Sequence, residues 1–326
     1  MIQLRIGFSL GSLLSVNDIL ECSKVLSKYG IDSIWIPETW GMECGSVISA
    51  VSQIVKMPKI GSSIMNIYSR SPSLIAMTAA TLDTISNGRF ILGLGTSSQA
   101  IVNDWHGLKF ENPVKRMQEY VKIIRLVMSG NKINYDGELF HLKNFTLLIR
   151  PTKNNIPIYL AAINQKMVEL AWDIADGIIF YLRPIDELRS TIEKMQNKKR
   201  IDVACQLITC VSMDEEEAIN RAKKTIAFYV SVGKIYREFL AKNGFSEETK
   251  AIFDEYAKTG FQNNYLMVPD SMVNALTISG TPRNVGKKLE SFVNAGIDLP
   301  IIQFNPIGNV KESFNLLVSS LESEIN

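Results

Sequence analysis

Glu38 follows the apolar run Ser33-Ile-Trp-Ile-Pro37 and is followed in turn by Thr39 and Trp40. A carboxylate at the end of a buried strand, beside a hydroxyl and an indole, can move a proton, accept a hydrogen bond or wall a pocket. The same design, an apolar run opening into small and polar residues, recurs along the chain. Ser9 and Gly11 follow the first run; Ser63, Ile64, Met65 and Asn66 the third; Thr96, Ser97, Ser98 and Gln99 the fourth. Ala161, Ala162, Ile163 and Asn164 follow the fifth, Tyr181 the sixth, and Gln303 and Asn305 the last. The set is polar but short of strong acids and bases. Hydrolysis by paired carboxylates wants a second acid at a comparable place, and Glu38 is the lone strand-end carboxylate of the first half. No GxSxG elbow occurs, and neither His106 nor His141 ends a strand, so a nucleophilic triad has little support. A site with so few catalytic groups suits a cofactor that carries the hard chemistry.

The elements that must position these residues alternate. Leu4–Ser9, Ser33–Pro37, a run opening at Ile60, Phe90–Gly95, Ile156–Ala161, Gly177–Leu182, Ile201–Val211 and Pro300–Phe304 read as strands. Helical spacing covers Val16–Tyr29, capped by Ser15 or Asn17 and closed by Gly30, and Pro72–Ser86, stopped by Asn87-Gly88. It also covers Pro113–Met128, Lys166–Ala175 and Asn284–Asn294. Alternating βα units imply a parallel sheet, and eight of them a closed one. The expected fold class is therefore α/β, a single (β/α)8 TIM barrel domain over residues 1–326. Two segments break the rhythm: an antiparallel hairpin over Ile133–Leu148 after the fourth strand, and a mostly helical insertion around 214–280 that could cover the barrel mouth.

Gly93-Leu-Gly-Thr-Ser-Ser98 follows a strand, as a dinucleotide fingerprint must, but Ser98 stands where the third glycine belongs and the expected acid-ended strand is a helix. The plainer reading is a glycine pair that lets this strand pass close to a neighbour or ligand. At Ala161-Ala-Ile-Asn-Gln-Lys-Met167 a strand turns tightly into a helix. Its free N–H groups, with Lys166, could hold a phosphate; equally, Asn164 could simply cap the helix.

The chain balances 35 basic against 33 acidic residues for a net charge of +2, with no basic block set apart, which points away from nucleic acid and membrane surfaces. No apolar run approaches the ~20 residues that span a bilayer. The start, Met-Ile-Gln-Leu-Arg-Ile, reads as a strand and not a signal sequence, so a cytoplasmic location is expected. Four cysteines without a CxxC pair and two histidines make no metal site by spacing, and the thiols read as small buried hydrophobes.

Several blocks together resemble the luciferase-like superfamily, and within it the branch that uses coenzyme F420, an 8-hydroxy-5-deazaflavin, as methylenetetrahydromethanopterin reductases do. The blocks are Gly30–Glu38, Gly61–Pro72, Ala76–Gly95, Trp105-His-Gly107, Ile156–Ala162 and Ala175-Asp-Gly177. The resemblance implies a barrel, usually a homodimer, that passes a hydride between F420 and a small organic substrate. It implies a non-prolyl cis peptide at Ser63–Ile64, with Ile64 backing the middle ring. The cofactor's phosphate would lie by Ala161, Ala162, Ile163, Asn164 and Gln165, and Ser97 and Ser98 would meet the ring system. Glu38 stands where the family often has Asp, and Thr39 replaces the following His; Glu38 could hydrogen-bond the cofactor or shuttle a proton. Trp40 could wall the substrate pocket or pack in the core. Arg70 and Arg183 could anchor the cofactor's anionic tail or lie on the surface, and His106 is more simply structural. Two alternatives stay open: an FMN-dependent monooxygenase served by a separate flavin reductase, and a non-catalytic flavin-binding member.

Overall fold

Helices alternate along much of the chain with short strands, most of them buried except at Ile133–Asp136 and His141–Phe145. In the computed structural model, which describes residues 4–152 and 155–325, they are β1 (Gly7–Ser9), β2 (Ser33–Ile36), β3 (Lys59–Ser62), β4 (Met65–Asn66), β5 (Phe90–Gly95), β6 (Ile133–Asp136), β7 (His141–Phe145), β8 (Ile158–Ala161), β9 (Gly177–Tyr181), β10 (Asp202–Thr209) and β11 (Leu299–Phe304). The large sheet runs β3-β2-β1-β11-β10-β9-β8-β5-β4, and β3 pairs again with β5, closing the ring. The pairings recorded along it are parallel, as at Ile34↔Ile60 and Leu92↔Ile158, so each crossover needs a helix. This is the (β/α)8 barrel that the alternation implies. β6 and β7 pair antiparallel as the expected hairpin outside it. Of the run expected over Leu4–Ser9 only Gly7–Ser9 pairs as a strand, and residues 1–3 lie outside the described residues.

By contacts the chain divides into two units. One holds Leu10–Lys28 and Asp32–Ile179. Its core is built on β2 and β5, in which every residue is buried. Trp35 is fully buried, donates its indole N–H to Ser33 Oγ at 2.9 Å and lies 5.8 Å from the Tyr159 ring. Ser15 caps the helix Val16–Leu26 through a capping box with Asp18. That helix is capped at Ser27 and not at Gly30: Ser27 N–H makes the last i→i−4 bond, to Ser23 O, and Lys28 N–H turns back to Val25 O in a tighter turn. Asn87 and Gly88, both at positive φ, end the helix Pro72–Ile85 as expected.

The other unit holds Met1–Ser9, Tyr29–Ile31 and Phe180–Asn326. Here β10 and β11 pair over six positions, Ala204↔Leu299 to Thr209↔Phe304. The insertion is helical as expected: Glu215–Val232, Lys234–Lys242, Ser246–Thr259, a short 3-10 turn and Asp270–Leu276. Ala222, Ile226, Val230, Leu240, Ile252 and Met272 bury its apolar face with Ile208 of β10. The strand expected over Ile201–Val211 stops at Thr209, and Val211 makes only an isolated bridge to Gly280.

Candidate functional site

The third barrel strand does not run straight through. β3 ends at Ser62, the Ser63–Ile64 peptide is cis at the bond the resemblance singles out, and the strand resumes as β4. Ser63 N–H donates to Ile36 O at 2.9 Å, and Ser62 Oγ both accepts from Gly93 N and donates to Gly93 O. The bulge therefore lies hard against β5. A Cβ on Gly93 would sit 1.9 Å from Ser62 O, and one on Gly95 would sit 2.4 Å from Ile64 Cγ1. No other residue fits at either position, so the glycine pair serves close strand passage, as the plainer sequence reading holds. Ile64 and Ser63 are left half-buried at the strand's C-terminal end. In the same bulge Ser63 Oγ and Asn66 Nδ2 are buried without a hydrogen-bond partner.

Glu38 follows β2 and is not a loose carboxylate. Arg70 grips both its oxygens, Nη1 on Oε1 and Nη2 on Oε2, the latter at 2.7 Å. The Cys44 N–H also donates to Oε2 at 3.2 Å. Arg70 Nη2 reaches Glu43 Oε1 at 2.7 Å as well. Glu43 caps the helix Cys44–Ile54, taking the N–H groups of Gly45 and Ser46. Tyr120 Oη donates to Arg70 O at 2.6 Å, which fixes the arginine's backbone. The side chains of Arg70 and Glu38 are only 14% and 10% exposed, so solvent screens the pair weakly. The hydrogen bonds that Arg70 donates to Glu38 push the Arg70 pKa up and keep the guanidinium charged. Burial pushes the neighbouring Cys44 thiol well above its ordinary value, and the Glu38 charge adds to that. Glu38, Glu43 and Cys44 bring potential metal-ligand atoms within 4.8 Å of one another. Arg70, bonded to both carboxylates, already supplies the cation they need.

Sequence reasoning placed Glu38 but missed this clamp. Arg70 is half-buried and paired, which overturns its reading as a surface arginine, and Glu43 gave no signal beyond preceding an apolar helix. Arg183, in the other unit, is likewise buried: Glu187 takes its Nε and Nη2, and the Phe180 and Phe239 rings flank it at 4.5 Å each.

The remaining predicted residues sit as follows. Trp40 is 53% exposed, so it is not a core residue. Thr39 Oγ1 meets Ser12 Oγ at 3.2 Å. Ser97 adopts a left-handed backbone at φ 58°, rare for a residue with a side chain and a recurrent mark of functional loops. Ser98 Oγ accepts from Ile101 N–H at 3.3 Å and opens a π-helical turn, Ile101–Trp105, closed by His106. The His106 backbone N–H closes that turn on Ile101 O at 3.0 Å. Ala161 ends β8, Ala162 is buried, Ile163 is half-buried, and Asn164 and Gln165 are exposed at the start of the helix Gln165–Ile174. Asn164 caps that helix, its Oδ1 accepting from Met167 N–H at 3.0 Å, while Gln165 Nε2 donates to Glu169. The first N–H groups of the helix, at Gln165 and Lys166, have no acceptor inside it.

The family model described as luciferase-like monooxygenase matches residues 2–299. A 5,10-methylenetetrahydromethanopterin reductase of Archaeoglobus fulgidus is 27% identical over 307 residues, covering 90% of this chain and 91% of that protein. The solved coenzyme F420-dependent tetrahydromethanopterin reductase of Methanopyrus kandleri superposes with a TM-score of 0.84 at 26% identity, covering 97% of both chains. An F420-dependent secondary alcohol dehydrogenase, solved with an F420-acetone adduct, shares the fold at a TM-score of 0.81 and 18% identity. With a match over most of its length, this chain belongs to the luciferase-like monooxygenase family.

Proposed function

We propose that this chain is an F420-dependent oxidoreductase that passes a hydride between the deazaflavin and a small organic substrate. The observation that carries the reading is the bulge after β3, where Gly95 leaves room for Ile64 to lie flat against β5 and stand half-exposed at the strand's end. An apolar face of this kind suits a planar fused ring, and the unpartnered Ser63 Oγ beside it suits the ring's polar edge. Relatives named as F420-dependent support the choice of cofactor. When bound, F420 supplies hydride donation or acceptance at one carbon of its middle ring.

The chain's own residues do the rest. Ile64 backs the ring from one side and leaves the other side to substrate. The loop of Ser97 and Ser98 lies against the ring system. The turn from Ala161 to Gln165 offers its first-turn N–H groups to the cofactor's phosphate, with Asn164 holding the helix start in shape. Glu38 offers a fixed acceptor, because the Arg70 fork uses one lone pair on each oxygen and Cys44 N–H another on Oε2. It therefore orients a bound group more readily than it shuttles a proton. Trp40, half-exposed on the next turn, walls the substrate side. One barrel domain over residues 1–326, working as a cytoplasmic homodimer, completes the reading. Among the described residues no helix is long and apolar enough to cross a membrane.

Titration of the purified apo protein with F420 and with FMN, followed by absorbance, tests this. Saturable binding of F420 with little binding of FMN is expected. Binding of FMN alone would replace the reading with that of a flavin monooxygenase.

A further inference from the structure

Asn66 closes the bulge and is 3% exposed. Its Oδ1 accepts the Tyr68 N–H at 2.8 Å. That bond fixes which end of the amide is oxygen, since an N–H needs an acceptor. Tyr68 is itself held, its hydroxyl donating to Glu111 O at 2.7 Å and its ring stacked on Phe110 at 5.1 Å. The Asn66 amide is thus locked in one orientation. Its other end, the Nδ2 amino group, is buried with no partner, as is Ser63 Oγ on the same bulge. Unpaired buried donors are costly and rare, and each calls for a partner such as a bound ligand or an ordered water. Both lie at the C-terminal end of a barrel strand, the end at which such barrels bind ligands.

We propose that Asn66 is a specificity-determining binding residue, whose Nδ2 donates, together with Ser63 Oγ, to a carbonyl oxygen or ring nitrogen on the edge of a planar heterocycle seated on the bulge. This rests on the reading of the bulge as the ring-binding surface. The ligand class is a fused ring with a pyrimidinedione edge, which F420 and FMN both carry. A ring without an acceptor there leaves both donors unpaired and is rejected.

Asn66→Asp is the discriminating variant: it keeps an oxygen for the Tyr68 N–H and turns the donor into an acceptor oxygen, charged when ionised. Titrated with F420, its dissociation constant rises about tenfold to a hundredfold over the unmodified protein, the range expected for one lost buried hydrogen bond. Ser63→Ala gives a smaller rise in the same direction. In the unmodified protein, the side-chain amide proton signals of Asn66 shift and their exchange slows when F420 is added to saturation, a readout that stands even where the variant fails to fold. Asn66→Asp binding within about twofold of the unmodified protein, or Asn66 amide signals that do not move at saturation, overturns the proposal while leaving the F420 reading intact. Binding of FMN in place of F420, still lost in Asn66→Asp, overturns the F420 reading and supports this one. An unmodified protein that binds neither overturns both.

Discussion

Removing Arg70 is the sharpest perturbation of the site. Arg70→Ala takes away the fork on Glu38, whose side chain is only 10% exposed, and strands that carboxylate with one backbone N–H. Breaking a weakly solvated pair by deleting one partner costs about 3–5 kcal/mol. The second arm, to Glu43, adds little, because that carboxylate is 48% exposed and keeps its two helix-cap N–H donors. We therefore expect a loss of about 3–4 kcal/mol for Arg70→Ala. Glu38→Gln should cost less, about 1.5–3 kcal/mol, since Arg70 still has Glu43. The double variant should fall well short of the sum, with a coupling energy of at least about 2 kcal/mol. Equilibrium denaturation of the four proteins at one pH measures this, and Arg70→Lys separates charge from shape, because an ammonium cannot make the two-pronged bond. An additive cycle, or an Arg70→Ala protein within about 1 kcal/mol of the unmodified one, would refute the clamp.

Gly95→Ala forces a methyl toward Ile64 Cγ1 at 2.4 Å and should destabilise by about 1–3 kcal/mol while weakening F420 binding. Gly41→Ala, with nothing within 4 Å, is the matched control and should leave both unchanged; equal effects at the two positions would disprove the close-passage argument. Burial acts to raise the Glu43 carboxyl, but hydrogen bonds from Ser46 and Gly45 and the charge of Arg70 outweigh it, leaving its pKa below the ordinary 4.5. The folded value being the lower one, this stabilisation is present above about pH 4.5 and fades as pH falls through the folded value. Glu43→Gln should thus lose about 0.5–1 kcal/mol at neutral pH and nothing in strong acid, a difference that thermal melts across pH would record. Burial pushes the thiols of Cys22 and Cys205 up to about 12 and that of Cys210 up to about 11. All four cysteines are buried. A thiol reagent at mildly alkaline pH should label them only after denaturant is added, and rapid native labelling of even one would contradict this packing.

Most of the barrel can be read from the chain because its signals are local. A buried strand and its following helix declare themselves by period, by caps such as Ser15, Asn164 and Asn87-Gly88, and by their alternation. The hairpin announces itself through Asp136-Gly137, and the insertion through its helical spacing. The position of the cis bond came from resemblance alone, since no local propensity marks a non-prolyl cis peptide at Ser63–Ile64.

What the chain could not declare is partnership at a distance. Arg70 and Glu38 lie 32 positions apart, and nothing in either residue's neighbours says that their side chains meet; only the parallel pairing of β2 with β3 brings the two strand ends side by side. The same holds for the Gly93–Ser62 contact and for the exposure of Trp40, which composition leaves open between wall and core. Secondary structure follows from the chain's own periodicity and steric limits, whereas a hydrogen bond between side chains depends on where the closed sheet sets each strand end, and that is decided only once every strand is in register.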